Sequence, residues 1–268
     1  MTDAPVKPSA LKARDGAQQD TTSLDPILGK GTHRDYIAHA FRWGWANRLT
    51  RNFLDLDNNR LLDAGCGPHA PLATELSISP PIIDIETKTY VEYVGVDLNN
   101  VKPRVNPKWA TFYGKFDLIA RHQELIDTHG PFAMATSFEV AEHMTPELQE
   151  EYIEAIRQCL AIHGHLVLSM PVLAASGKMA KNHIAELPVH ETQALLERHG
   201  FMVIDRFGTF ASWQDIKRAI DDDPKLAGFR EVYDRLRAFY SDSLLACFLA
   251  PYLPDASRNC AWICRRVD

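Results

Sequence analysis

Three groups of residues in this 268-residue chain combine types and spacings that could do chemistry. The first is Asp63-Ala64-Gly65-Cys66-Gly67, which follows directly on the apolar pair Leu61-Leu62. The two glycines remove the Cβ atoms that would hold a ligand away. Bare backbone can then approach a nucleotide-like cofactor at the carboxyl end of a buried strand. A third glycine at the dinucleotide spacing is missing, since His69 and Ala70 follow Pro68, so the pattern argues only weakly for NAD or FAD. The second group is the apolar run Tyr93-Val94-Gly95-Val96 ending in Asp97, where one carboxylate could accept from both hydroxyls of a ribose diol. The third is Glu139, Glu142 and His143. On a helical turn, positions i, i+3 and i+4 share a face, so two hard oxygen ligands and an imidazole could meet around a divalent cation.

These residues leave alternatives open. Asp97 lies 30 residues past Gly67, whereas dinucleotide folds place the equivalent acid about 20 residues on, a mark nearer to Asp84 after Ile82-Ile83. Asp97 is preferred because Pro80-Pro81 and Glu86-Thr87-Lys88-Thr89 read as a loop inserted before the true strand. His143, with Glu142 beside it, could act without metal as a general base, its neutral pKa suiting it to that task. The acids could also do no more than cap and orient loops.

The run from Arg60 to Pro68 resembles motif I of the class I S-adenosylmethionine-dependent methyltransferases, and Tyr93 to Asn99 resembles the second motif of that family. Ser137-Phe138-Glu139-Val140-Ala141-Glu142-His143-Met144 resembles the Glu-x-x-Glu-His motif of a subgroup that includes ubiquinone-pathway O-methyltransferases and small-RNA 2′-O-methyltransferases. The resemblance implies a Rossmann-like fold and methyl transfer. It implies Asp63 near the amino group of the cofactor's methionine portion, Gly65 and Gly67 along its backbone, and Asp97 at the ribose. Asp117 would take the exocyclic amino group of adenine, with Leu98 and Phe138 as further cofactor contacts. In the subgroup the corresponding residues hold a divalent metal, here Mg²⁺, Mn²⁺ or Zn²⁺, on Glu139, Glu142, His143 and a second histidine, for which His183 falls at the matching place. Two departures stand out: Leu187-Pro188 replaces the aromatic-Thr pair usual after that histidine, and His190 is a rival for His183.

The elements that must position these groups alternate between strand and helix, which means a mostly parallel α/β sheet. Strands are expected at Leu61 to Ala64, Tyr93 to Asp97, Ala110 to Tyr113, Phe132 to Thr136, Leu166 to Pro171 and Phe201 to Ile204. Thr145-Pro146-Glu147 opens a helix with an N-cap, a proline at the first position and an acid in the first turn. Leu148, Tyr152, Ile153, Ile156 and Leu160 give that helix one apolar stripe. A helix ends at Gly200. The last strand, Cys260 to Cys264, is expected antiparallel at the sheet edge, completing a doubly wound seven-stranded sheet as the resemblance implies. An aromatic helix carrying Tyr36, Ile37, Phe41, Trp43, Trp45 and Leu49 precedes the first strand, as core or as a cofactor cover. The stretch 207–258 is too long for a loop and places Leu226, Phe229, Val232, Tyr233, Leu236 and Phe239 at helical spacing, a candidate substrate cover.

With 46% apolar residues, the chain can bury a sizeable core in one catalytic domain, 31–268. Residues 1–30 are polar, with scattered proline and no apolar run, and are expected to form a disordered tail without a signal core. No segment reaches the roughly 18 apolar residues of a membrane span. Five cysteines, odd in number and without paired Cys-x-x-Cys spacing, point to a reducing cytoplasm and away from a structural zinc cluster. A net charge of −6 does not suggest a large phosphate-tracking surface, although Arg42, Arg48 and Arg51 give a local basic edge. No Asn-Pro-Pro-Tyr-like segment follows the fourth strand, and there is no Pro-Cys dipeptide, so methylation of a DNA base is not indicated. The expected acceptor is a hydroxyl, or else an amine, on a small molecule. An RNA 2′-hydroxyl is the alternative enzyme reading, and a cofactor-binding subunit that only activates a partner is the non-enzyme reading.

Overall fold

The computed structural model describes residues 34–268 apart from Ile85 and residues 174–178, so the expected tail at 1–30 lies outside the described residues. In chain order the elements are α1 (Arg34–Phe53), β1 (Arg60–Ala64), α2 (Pro71–Ile78), β2 (Ile82–Asp84), β3 (Thr89–Tyr90), β4 (Glu92–Asp97), β5 (Ala110–Gly114), α3 (Leu118–His129) and β6 (Phe132–Phe138). A 3-10 turn follows (Ala141–His143), then α4 (Pro146–Cys159), β7 (Leu160–Pro171), α5 (Val189–Arg198), β8 (Phe201–Phe210), α6 (Trp213–Asp222), α7 (Ala227–Leu236), α8 (Asp242–Leu249) and β9 (Asn259–Arg266).

Seven strands form one sheet in the order β5-β4-β1-β6-β7-β9-β8, parallel except for β9, which runs antiparallel to both neighbours. Alternate residues of the central strands feed two cores. Leu62, Val94, Leu166 and Leu168 pack in one core with Tyr152, Ile153 and Ile156 of α4. Leu61, Tyr93, Met134 and Val167 pack in the other with Ala46 and Leu49 of α1 and Leu72 and Leu76 of α2. That alternation is the period of two that strands impose, so each face of the sheet receives its own layer of helices.

Four expectations need correction. β9 is not at the edge: its continuous run Cys260-Ala261-Trp262-Ile263-Cys264 is buried throughout and inserts between β7 and β8. β8, with Met202 and Ile204 about half exposed, takes the edge instead. β8 also runs on to Phe210, because Phe207, Gly208 and Phe210 pair with β9, so the helical insert starts after residue 210 rather than at 207. The segment taken as a plain loop before β4 contains the antiparallel hairpin β2–β3, with Asp84 bracing its turn through Glu86 N and the Thr87 hydroxyl (2.9 and 2.6 Å). Finally, β7 begins at Leu160 and passes through His163-Gly164 as an irregularity in its pairing with β6.

Candidate active site at the carboxyl ends of the strands

Main-chain geometry at the end of β1 follows from its glycines. Gly65 and Gly67 have φ of +76° and +74°, a region L side chains rarely adopt, and a Cβ on Gly65 would collide with Val140 Cγ2. The loop is tied down from β4: Gly65 and Cys66 N–H donate to the Val96 carbonyl (2.9 and 3.0 Å), and Gly67 N–H donates to Asp97 Oδ2 (2.9 Å). Tyr152 of α4 donates to the Ala64 carbonyl from below (3.1 Å). Asp63 is buried and accepts from the Tyr93 hydroxyl (2.6 Å) and Thr136 Oγ1 (2.8 Å). Burial pushes its pKa up to about 6 against those two hydrogen bonds, with the Asp97 charge adding to the rise.

A cavity of about 300 Å³ opens beside this loop. Asp63, Gly65, Gly67 and Phe138 line it, joined by His39, Ala40 and Trp43 of α1 and by Arg104. Asp97, Leu98 and Asp117 do not line it; they stand at the ends of β4 and β5, where Asp97 Oδ1 also accepts from Asn99 N (2.7 Å) and Asp117 Oδ1 caps α3 through Ala120 N (3.3 Å).

The acid and imidazole groups separate into two sets. Glu139 does not share a helical face with Glu142 and His143, because it sits at φ +59° ahead of the 3-10 turn. Its carboxylate instead accepts from Ser169 Oγ (2.9 Å) and Asn259 Nδ2 (2.7 Å) and pairs with Arg42 (3.5 Å). Arg42 is itself buried, which corrects its expected place on a solvated basic edge. Glu142, His143 and His183 do converge: each offers a ligand atom within 4.8 Å of the others. Both carboxylate oxygens of Glu142 are buried without a hydrogen-bond partner among the described residues. Its burial, followed by the charge of Glu139, holds its pKa well above the usual carboxylate range. The Nδ1 of His143 faces the Asn182 carbonyl (3.0 Å) and that of His183 faces Glu186 Oε1 (2.5 Å). These partners only accept, so each ring carries its proton on Nδ1 and Nε2 is the unprotonated nitrogen, the arrangement second-sphere acceptors impose on metal-binding histidines. His190 is exposed and stands apart beside Glu191.

Comparison with known proteins agrees with this architecture. A family model described as a methyltransferase domain matches residues 36–222, more than half of the chain. The chain belongs to the class I S-adenosylmethionine-dependent methyltransferases. No curated protein is significantly similar in sequence. Among solved structures, this methyltransferase resembles the Burkholderia thailandensis 1,6-didemethyltoxoflavin-N1-methyltransferase, bound to 1,6-didemethyltoxoflavin and S-adenosylhomocysteine, at 16% identity and a TM-score of 0.56, over 100% of this chain and 94% of the other. Haemonchus contortus phosphoethanolamine N-methyltransferase 2 shares 12% identity over 96% of this chain and 60% of its own, with a TM-score of 0.54. The small RNA methyltransferase HEN1 shares 17% identity over 86% of this chain and 25% of its own, with a TM-score of 0.50. At these identities the likeness is one of fold.

Sequence reasoning named α1 with Trp43 as core or cofactor cover, but missed His39 and the inward course of Arg42 at the methyltransferase site. His39 and Trp43 reach the cavity wall, while Arg42 passes behind it to Thr209 (3.3 Å), Asn259 (3.2 Å) and Glu139. A histidine three residues before an arginine on an aromatic helix was the available signal, and nothing local distinguishes it from a solvated face. The helical insert, by contrast, does not line the cavity. It closes over its own cluster of Ile216, Ile220, Tyr233, Leu245 and Ala246, and α8 packs against α1.

Proposed function

We propose that this enzyme transfers the methyl group of S-adenosylmethionine to a hydroxyl of a small-molecule acceptor, with Glu142, His143 and His183 holding a divalent cation beside it. The observation that carries the metal reading is Glu142, whose buried carboxylate oxygens have no hydrogen-bond partner among the described residues, with ligand atoms of His143 and His183 within 4.8 Å. A buried carboxylate without a partner is costly unless protonated or bound to a cation. Glu139 then serves as the counter-ion of Arg42 rather than as a fourth ligand.

The cofactor supplies an electrophilic methyl group on a sulfonium, and the chain's part is to align the acceptor opposite the sulfur and exclude water. Asp63 would take the ammonium of the methionine end, Gly65 and Gly67 would let it lie on bare backbone, and Phe138 would close the wall beside it. Asp97 would accept from the ribose diol, with Leu98 and Asp117 at the adenine end. A divalent cation on the three ligands would lower the pKa of an acceptor hydroxyl.

His143 as a metal-free base is the second reading, supported by the same unprotonated Nε2. The two are exclusive, since one lone pair cannot both bind a cation and take a proton. Elemental analysis of protein purified without chelators is expected to find close to one Mg, Mn or Zn per chain, lost in Glu142→Gln and His183→Gln. Full turnover in metal-free protein would sink the metal reading and leave the base. The net charge of −6 favours a small acceptor over RNA. Five buried cysteines, none in a disulfide, support a reducing compartment, and no helix among the described residues is long and apolar enough to cross a membrane.

A further inference from the structure

A zwitterionic amino-acid end lying in the cavity needs a partner for each of its charges. Asp63 can meet the ammonium. The glycine loop does not meet the carboxylate, because the N–H groups of Gly65, Cys66 and Gly67 already donate to Val96 O and Asp97 Oδ2. Among the side chains of the wall, Thr74 donates back to the Ala70 carbonyl (3.4 Å), His69 and Arg104 stand exposed at the rim, and Trp43 packs into the apolar core.

His39 is different. The Arg42 guanidinium has only donors, so His39 Nδ1 must accept from Arg42 NH2 at 2.5 Å, and the ring proton must sit on Nε2. That Nε2–H bonds to no described residue, and the ring lines the cavity. Burial and the adjacent Arg42 charge hold the imidazole pKa well below its ordinary value, so the ring stays neutral with this tautomer fixed. Arg42 is in turn anchored on Thr209 and Asn259, which makes the donor rigid and places a full positive charge one bond behind it.

We propose that His39 captures the carboxylate of the cofactor's methionine end through Nε2–H, its orientation and polarity set by the buried Arg42. This rests on reading the cavity as the site of S-adenosylmethionine. Titration calorimetry with S-adenosylhomocysteine and with 5′-methylthioadenosine, the same thioether without its amino-acid group, tests it on the full chain. His39→Phe is expected to weaken S-adenosylhomocysteine roughly tenfold to a hundredfold, the range of a hydrogen bond to a charged group, and to leave methylthioadenosine unchanged. His39→Gln, which returns an amide N–H near the place of Nε2, should recover most of the loss, whereas His39→Asn, which mimics only Nδ1, should not. Wild-type binding of S-adenosylhomocysteine with equal affinity in His39→Phe, or an equal loss for both ligands, overturns the inference alone. If His39→Phe fails to fold, indistinguishable affinities in the Gln and Asn variants overturn it. Absence of any S-adenosylhomocysteine binding by the wild type overturns the cavity reading and this inference together.

Discussion

Above a pH of about 6 the Asp63 carboxylate is ionised in a buried setting that opposes the charge, and the ammonium it would hold relieves that opposition. Cofactor affinity is therefore expected to rise with pH through about 6 and to lose that limb in Asp63→Asn, as calorimetry between pH 5 and 8 would show. Stability of the ligand-free protein should move the other way. The folded-state pKa is raised from 3.8, so the stabilisation associated with protonated Asp63 is complete below about 4 and is lost as pH rises through about 6. The loss is on the order of 3 kcal/mol. Urea midpoints of wild type should fall relative to Asp63→Asn across that window, and parallel curves would refute the burial argument. At Gly65 the cost of a side chain has two sources, the positive φ and Val140. Gly65→Ala should destabilise by about 1–3 kcal/mol, and Val140→Ala in the same chain should recover part of it by relieving the collision. A full recovery would mean that backbone strain contributes nothing. Asp63, Gly65 and Gly67 were legible in the sequence because their work is local to one strand and its turn.

Elements carry the parts that were harder to read. The alternation of β1, β4, β6 and β7 with their helices was visible as apolar runs and caps, and Thr145-Pro146 starts α4 as expected, with Thr145 Oγ1 accepting from Leu148 N (3.4 Å). The register of Glu139 was not visible, because the i, i+3, i+4 rule presumes a helix and this chain enters a left-handed residue and then a 3-10 turn. Nor was the meeting of α1 with β6, β8 and β9, since Arg42 finds Glu139, Thr209 and Asn259 from far along the chain. That network predicts a large cost at one position. Arg42→Met leaves Glu139 without its counter-ion close to the buried Glu142, and should destabilise by about 3–5 kcal/mol in denaturant titration. Adding Glu139→Gln should return a substantial share of this. Losses that simply add would show the pair to be independent.

Over the whole molecule, composition and strand order were legible while the limits of the insert and the place of β9 were not. β9 and β8 are both apolar enough to lie inside, and their order depends on which of them can be buried on both faces; the polar and exposed positions Met202, Ile204 and Asp205 put β8 outside. The sheet brings the glycine loop and the Glu142–His143–His183 group to the same strand ends, the usual place for ligands in open α/β sheets. The measurement that bears most directly on that arrangement is transfer of labelled methyl from S-adenosylmethionine into a pool of hydroxylated small molecules and, separately, into RNA. Wild-type enzyme is expected to label the small-molecule pool, to stop after exhaustive chelation, and to resume with Mg²⁺, Mn²⁺ or Zn²⁺, whereas Glu142→Gln should not resume. Labelling of RNA alone, or undiminished labelling of small molecules by the chelated enzyme, would contradict it.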